Sequence, residues 1–198
     1  MERLQYLDAL AVRQKKEWGE ILTGLETCNR YAVIDAQGQE IYHVAEEPGM
    51  MLSRLFLKAW RPFKMSISSI EGQAVLNIDR PFRWYFHEVA VFTTAGEKLG
   101  TIRREFAWLQ RIYRVLDHDD NQVFRIVGPF IHPWTFNVFQ NGQQVGKISK
   151  RWSGLGKEMF TDADNFGLTF PAGTDVKSKA LLLSALFLID FVHFETSK

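Results

Sequence analysis

From Ala180 to Phe194 the chain is apolar except at Ser184, Asp190 and His193. No other stretch restricts the fold so tightly. At about 1.5 Å per residue this segment reaches roughly 22 Å as a helix, against a bilayer hydrocarbon core of about 30 Å. A helix that is apolar all round has no face to give to water, so protein or lipid must enclose it. On an insertion scale its ten large apolar residues, Leu181 to Leu183, Leu186 to Ile189, Phe191, Val192 and Phe194, gain about 3 to 6 kcal/mol. Against this, a central Asp costs roughly 2.5 to 3.5 kcal/mol. Enclosed by protein, each large side chain gains on the order of 1.5 to 3 kcal/mol. A protein interior is the better solvent for this helix.

The rest of the chain must supply that interior. Its 198 residues are enough for one substantial core. The net charge of +1 exerts no global pull towards nucleic acid or an anionic membrane, so any such attraction is local. Cys28 stands alone, which excludes an internal disulfide framework and a multi-cysteine metal site. Glu2, Arg3 and Asp8 follow Met1, so no secretory signal is expected. Glu2 stands where N-myristoylation needs glycine, and the last residues carry no prenylation box.

Leu4, Leu7, Ala11, Trp18, Ile21, Leu22 and Leu25 recur at three- and four-residue spacing, which predicts an amphipathic helix over 3–25 within an N-terminal segment 1–28. From Arg30 to Pro171 the pattern alternates with period two, as in Phe63, Met65 and Ile67, then Ala74, Leu76 and Ile78, Val89 and Val91, and Trp134, Phe136 and Val138. Turn signals separate these runs: Gln37-Gly38, Glu71-Gly72, Ala95-Gly96, Asp119-Asp120-Asn121 and Asn141-Gly142. Roughly twelve strands follow, a number suited to a closed barrel or sandwich. Tyr31 to Asp35 followed by Ile41-Tyr42 aligns without gaps on Tyr113 to Asp117 followed by Val123-Phe124. Looser matches join Arg80-Pro81-Phe82 to Gly128-Pro129-Phe130, and Leu99 to Ile102 with Val145 to Ile148. Two similar half-barrels in tandem would give such repeats. A closed barrel removes sheet edges but needs a filled lumen, and the apolar helix is the obvious filling. The expected fold is mainly β, a twelve-stranded closed barrel over 30–171 around a central helix over 175–195.

The blocks Gly146 to Trp152, Phe160 to Pro171, Asp175 to Lys177 and Phe187 to Phe191 resemble the signature of the phospholipid scramblase family. Leu22 to Tyr31, Gly38 to Tyr42 and Arg61 to Phe63 resemble it too, so that the likeness runs in order over about residues 3–195. The resemblance implies a tubby-like fold, with residues 29–198 as its domain. It implies calcium-stimulated, bidirectional movement of phospholipids between leaflets, with Ca2+ as cofactor. It also implies a place at the cytoplasmic face of the plasma membrane, anionic phospholipids as partners, and nuclear import with DNA binding in some members. The near-neutral charge argues against nucleic acid here. The family's proline-rich extension and palmitoylated cysteine cluster have no counterpart in this sequence, which weakens membrane anchoring. A monomeric, soluble cytoplasmic module that binds phosphoinositide or another acidic lipid without transporting it is therefore the alternative.

The resemblance places calcium at the segment beginning with Asp162. Read as an oxygen-donor loop, Asp162 and Asp164 give carboxylates, Phe166 and Leu168 give main-chain carbonyls, and Gly167 falls at the sharp turn. Gly173 stands where a bidentate carboxylate is needed, which points to a site of about millimolar affinity. The same stretch also reads as a tight turn with Asp and Asn accepting main-chain hydrogen bonds. Headgroup phosphates would be met by basic residues near strand ends: Lys58, Arg61, Lys64, Arg80, Arg83, Arg103, Arg104, Lys147, Lys150 and Arg151. Trp60, Trp84, Trp108 and Trp152 lie among them, suited to an interface. Leu182, Leu186, Ile189, Asp190 and Phe191 mark the central or membrane-entering helix, in which Asp190 and His193 are spaced to pair. The five histidines lack paired metal-ligand spacing, and no phosphate loop, nucleophile elbow or dinucleotide fingerprint is present. The chain is expected to bind or move lipid without covalent chemistry.

Overall fold

The computed structural model describes residues 1–15, 29–47, 62–82, 87–150 and 165–194. A short helix α1 (Glu2–Gln5) precedes twelve strands. These are β1 (Ala9–Gln14), β2 (Arg30–Ile34), β3 (Glu40–Glu46), β4 (Phe63–Ser69), β5 (Ala74–Arg80), β6 (Glu88–Thr93), β7 (Lys98–Glu105), β8 (Gln110–Asp117), β9 (Gln122–Pro129), β10 (Thr135–Gln140), β11 (Gln143–Lys150) and β12 (Asn165–Thr169). Among the described residues one further helix, α2 (Val176–His193), follows them. Each strand pairs antiparallel with its neighbours in sequence, and β1 pairs with β12 to close the barrel.

Period-two alternation sends one face of each strand inward, where Leu10, Val33, Ile67, Leu76, Val91, Ile102, Val115, Ile126, Val138 and Leu168 meet α2. The helix is buried from Ser178 to Val192 without a solvent face, as its uninterrupted apolar composition requires. Asp175 caps it, accepting from the Ser178 amide at 3.0 Å. Below it, Lys179 donates from Nζ to the Gln5 and Leu7 carbonyls at 2.9 and 2.7 Å, which ties α1 across the base of the lumen.

The hairpins explain part of the repeat. Asp35 accepts from the amides of Gln37 and Gln39, and Asp117 accepts in the same way from Asp119 and Asn121. Both turns place a residue in the left-handed region, Gly38 at φ 82° and Asp120 at φ 62°. Asp is among the few side chains that tolerate this. The Tyr31 and Tyr113 segments therefore form like hairpins, β2–β3 and β8–β9, six strands apart. The looser matches do not belong to that relation, because they carry β5 onto β9 and β7 onto β11, four strands apart. A local requirement accounts for the glycines in the second pair. A Cβ at Gly100 would meet the Leu116 carbonyl at 2.2 Å, and one at Gly146 the Thr169 carbonyl at 2.6 Å.

One element departs from expectation. Of the helix predicted over 3–25, residues 16–25 lie outside the described residues; up to residue 15 only Glu2–Gln5 is helical, and Ala9–Gln14 is a strand. Leu10 and Val12 are its inward pair, both fully buried. The three- and four-residue spacing of Leu4, Leu7 and Ala11 hid this two-residue pattern. Pairing on both sides, with β12 and β2, outweighs helix propensity here.

Candidate functional site

Because the strands form an antiparallel meander, their connections alternate between the two ends of the barrel. Tight turns of a few residues join β2–β3, β4–β5, β6–β7, β8–β9 and β10–β11 at one end. The other connections, β7–β8 and β9–β10 among them, leave from the opposite rim, towards which α2 points its C-terminus. Among the described residues, nine large apolar side chains are exposed, and seven of them sit on this rim. They are Phe82 after β5, Phe106, Trp108 and Leu109 between β7 and β8, and Phe130, Ile131 and Trp134 between β9 and β10. Trp108 and Ile131 are 85% and 84% exposed. Apolar side chains concentrated so far to one end mark an interaction surface.

This rim is held in shape. The buried Arg111 guanidinium donates to the carbonyls of Pro133, Pro129 and His132 at 2.8, 3.1 and 3.3 Å, and lies 4.4 Å from the centre of the Phe136 ring. It fastens the β9–β10 loop to the barrel while Phe130 and Ile131 project outward. Phe106 and Trp108 pack edge to face at 5.6 Å in the neighbouring loop.

Inside the rim, cations close the lumen over an aromatic layer. Arg80, 3% exposed, lies 4.7 Å from the Phe191 ring and 5.6 Å from Phe63, and donates to Nδ1 of His87. Lys150 lies 4.6 Å from Phe194 and 5.3 Å from Phe166. Trp134 stacks on Phe194 at 5.4 Å. Desolvated cation–π contacts are favourable, and these cations also face the negative end of the α2 dipole. His87 is lowered to about 4 by burial and by the Arg80 and Arg104 charges, so its neutral ring accepts from Arg80 at pH 7.

Two tyrosines of the repeat reach the helix here. Tyr31 donates its hydroxyl to Asp190 Oδ2, and the Tyr113 hydroxyl meets His193 Nε2, both at 2.8 Å. Burial, then the Arg104, Arg111 and His87 charges, lowers His193 to about 3, and burial raises Tyr113. Both groups are neutral at pH 7, so Tyr113 donates and His193 accepts, with the ring proton on Nδ1. The expected Asp190–His193 pair is therefore replaced by two separate partners, because the tyrosines project from the wall to meet each one.

The basic residues named from sequence divide into groups. Arg80, Arg104 and Lys150 gather at the inner rim. Lys64 lies on the outer wall 3.8 Å from Asp79, Arg103 pairs with Glu88 at 2.6 Å, and Lys147 is exposed on β11. Lys58, Arg61, Arg83, Arg151, Asp162 and Asp164 lie outside the described residues, as do Trp60, Trp84 and Trp152. Phe166 and Leu168 do not fit the donor loop expected of them. They sit within β12, which pairs with β1 on one side and β11 on the other, so their carbonyls belong to the sheet ladders. Their side chains are core, 2% and 0% exposed. Leu182, Leu186, Ile189, Asp190 and Phe191 all lie inside the barrel. Among the described residues no helix is long and apolar enough to cross a membrane. Sequence reasoning missed Arg111 and His87, whose roles depend on a rim that only the closed topology creates.

Fold and rim together define a barrel filled by its own helix, with an apolar, cation-backed end. The Scramblase family profile matches residues 1–196. Phospholipid scramblase 1 of Mus musculus is 34% identical over 98% of this chain and 63% of its own length. Phospholipid scramblase 2 of Bos taurus is 34% identical over the whole chain and 72% of its own length. The chain thus spans under two thirds of the mouse protein. A solved structure of a protein from Arabidopsis thaliana shares the fold, with a TM-score of 0.56 at 13% identity over 96% of both chains. The chain belongs to the scramblase family.

Proposed function

We propose that this chain moves phospholipids between the leaflets of a membrane, in both directions and under calcium stimulation, or assists such movement, while working from the membrane surface. The apolar, cation-backed rim of a scramblase-family barrel carries the reading. Anionic phospholipids are its partners, at the cytoplasmic face of the plasma membrane, and a monomer suffices for the rim. Side chains such as Trp108 and Ile131 suit the headgroup boundary, where an aromatic body and a polar surround are both accommodated. The helix fills the lumen, so a headgroup would pass along the outer wall beside a locally disturbed bilayer, and no bond is made or broken. Calcium would act through Asp162 and Asp164, at about millimolar strength because the clamping carboxylate is missing.

The filled lumen also favours a second reading, a surface module that binds acidic lipid without transporting it. Dithionite quenching of labelled phospholipid in vesicles reconstituted with the pure protein separates the two. Calcium-dependent loss of inner-leaflet signal, abolished by Asp162→Ala with Asp164→Ala, is the expected result. Vesicles that bind the protein yet keep their inner-leaflet signal would leave only the binding module.

A further inference from the structure

On the outer wall, Arg103 of β7 stands directly opposite Arg114 of β8, and Arg114 directly opposite Arg125 of β9. All three alternate with inward residues, Ile102, Tyr113, Val115 and Ile126, so their side chains share the outer face. Directly opposed residues on one face are only about 4.5–5.5 Å apart at Cβ, and like charges so placed repel. Two of the three arginines have carboxylate partners. Arg103 meets Glu88 at 2.6 Å and Arg114 meets Glu105 at 2.8 Å. Arg125 is exposed and, among the described residues, has no ion pair. These five side chains and Phe106 line an open groove of about 650 Å³ that runs up the wall to the rim loop.

A row of three opposed arginines with one left unpaired is a poor arrangement for the isolated barrel and a good one for a ligand with several negative charges. Guanidinium forks bind phosphate oxygens bidentately, and three strands carry them across roughly 10 Å. We infer that the groove between Glu88 and Arg125 binds a phosphomonoester with at least two negative charges. Arg125 is the main contact and Arg114 is shared between phosphate and Glu105. A singly charged phosphodiester would gain much less from the third arginine. The inference deepens the lipid reading above and rests on it only for the source of the phosphate, since a lipid headgroup and a soluble phosphate present the same group. Phe106 at the upper end places the groove next to the rim that would meet a bilayer.

The test uses the full chain with two probes, soluble inositol trisphosphate by calorimetry and phosphatidylcholine vesicles by flotation. The vesicles carry either a phosphatidylinositol bisphosphate or phosphatidylserine at matched surface charge. Arg125→Gln should lower affinity for the bisphosphate vesicles about tenfold, as loss of a charge-assisted bidentate contact does, and affect phosphatidylserine vesicles much less. Arg125→Lys should recover only part of it. Because Arg125→Gln relieves repulsion, it should melt no lower than wild type, which separates lost binding from lost folding. Comparable binding of the soluble probe identifies a soluble phosphate as sufficient, whereas binding to vesicles alone identifies the lipid. Undiminished binding of both probes by Arg125→Gln and by Arg114→Gln would overturn the site. If those variants bind normally while transport persists, the groove falls and the lipid reading stands. If the soluble probe binds through Arg125 while no vesicle is bound or scrambled, the reverse holds.

Discussion

Single side chains at the helix C-terminus tie the barrel to its contents. Tyr113 and His193 form a neutral pair whose geometry depends on an uncharged imidazole. His193 is lowered from 6.5 to about 3, so between these values the unfolded chain binds a proton that the folded chain refuses. The contribution is complete above pH 6.5 and declines as the pH falls towards about 3, by about 1.4 kcal/mol per pH unit. Urea unfolding followed from neutral to acid pH should show this loss, and His193→Gln should make the slope shallower over the same window. An unchanged slope would mean that carboxylates alone set the acid limit. The tyrosine of each repeat was visible in the sequence, but its partner was not, because the Asp190–His193 spacing suggested a bond along the helix. Arg103, Arg114 and Arg125 are evenly spaced in sequence, and that spacing about two turns is the signal that could have revealed their alignment. Arg114 and Arg125 were absent from the sequence-derived basic set because register is fixed only once the hairpins are known.

At the scale of elements, strands and turns were the most legible, since alternation and Gly- or Asx-bearing turns carry a local signal. β1 was not legible, as its strand state comes from neighbours 21 and 160 positions away: Val12 pairs with Val33 and Ala9 with Thr169. The β7 strand illustrates how tightly such neighbours fit. A methyl group at Gly100 would strike the Leu116 carbonyl and touch the Leu181 side chain at 3.0 Å. Main chain on one side and the central helix on the other leave nothing able to give way. Gly100→Ala should therefore destabilise the barrel by about 2–4 kcal/mol, read from chemical denaturation. A cost below about 1 kcal/mol would mean that β8 or α2 can shift at that level.

The whole molecule is polar in a geometric sense, with tight turns and α1 at one end and the apolar loops at the other. The filled barrel followed from the C-terminal run alone, but the gathering of Phe106, Trp108, Phe130 and Ile131 on one rim required the meander to be closed. Such a molecule should meet a bilayer end-on. Trp108→Ala combined with Ile131→Ala should weaken vesicle binding about tenfold or more, given the apolar area removed, and leave the melting temperature unchanged. Brominated lipid should quench Trp108 fluorescence in the wild type. Equal quenching with Trp108 present and absent would point to another face of the barrel.

The lumen and its filling are also separated in time. α2 follows all twelve strands in the chain, and the seam between β1 and β12 joins residues from the two ends of the barrel. During translation the inward side chains of every strand must leave the ribosome before their packing partner has been made. The nascent sheet cannot complete its core in stages, and its apolar inner face stays open to chaperones or to aggregation until synthesis has passed His193. A premature stop within the last helix would therefore not shorten a folded protein slightly. It would release twelve strands with nothing to close around.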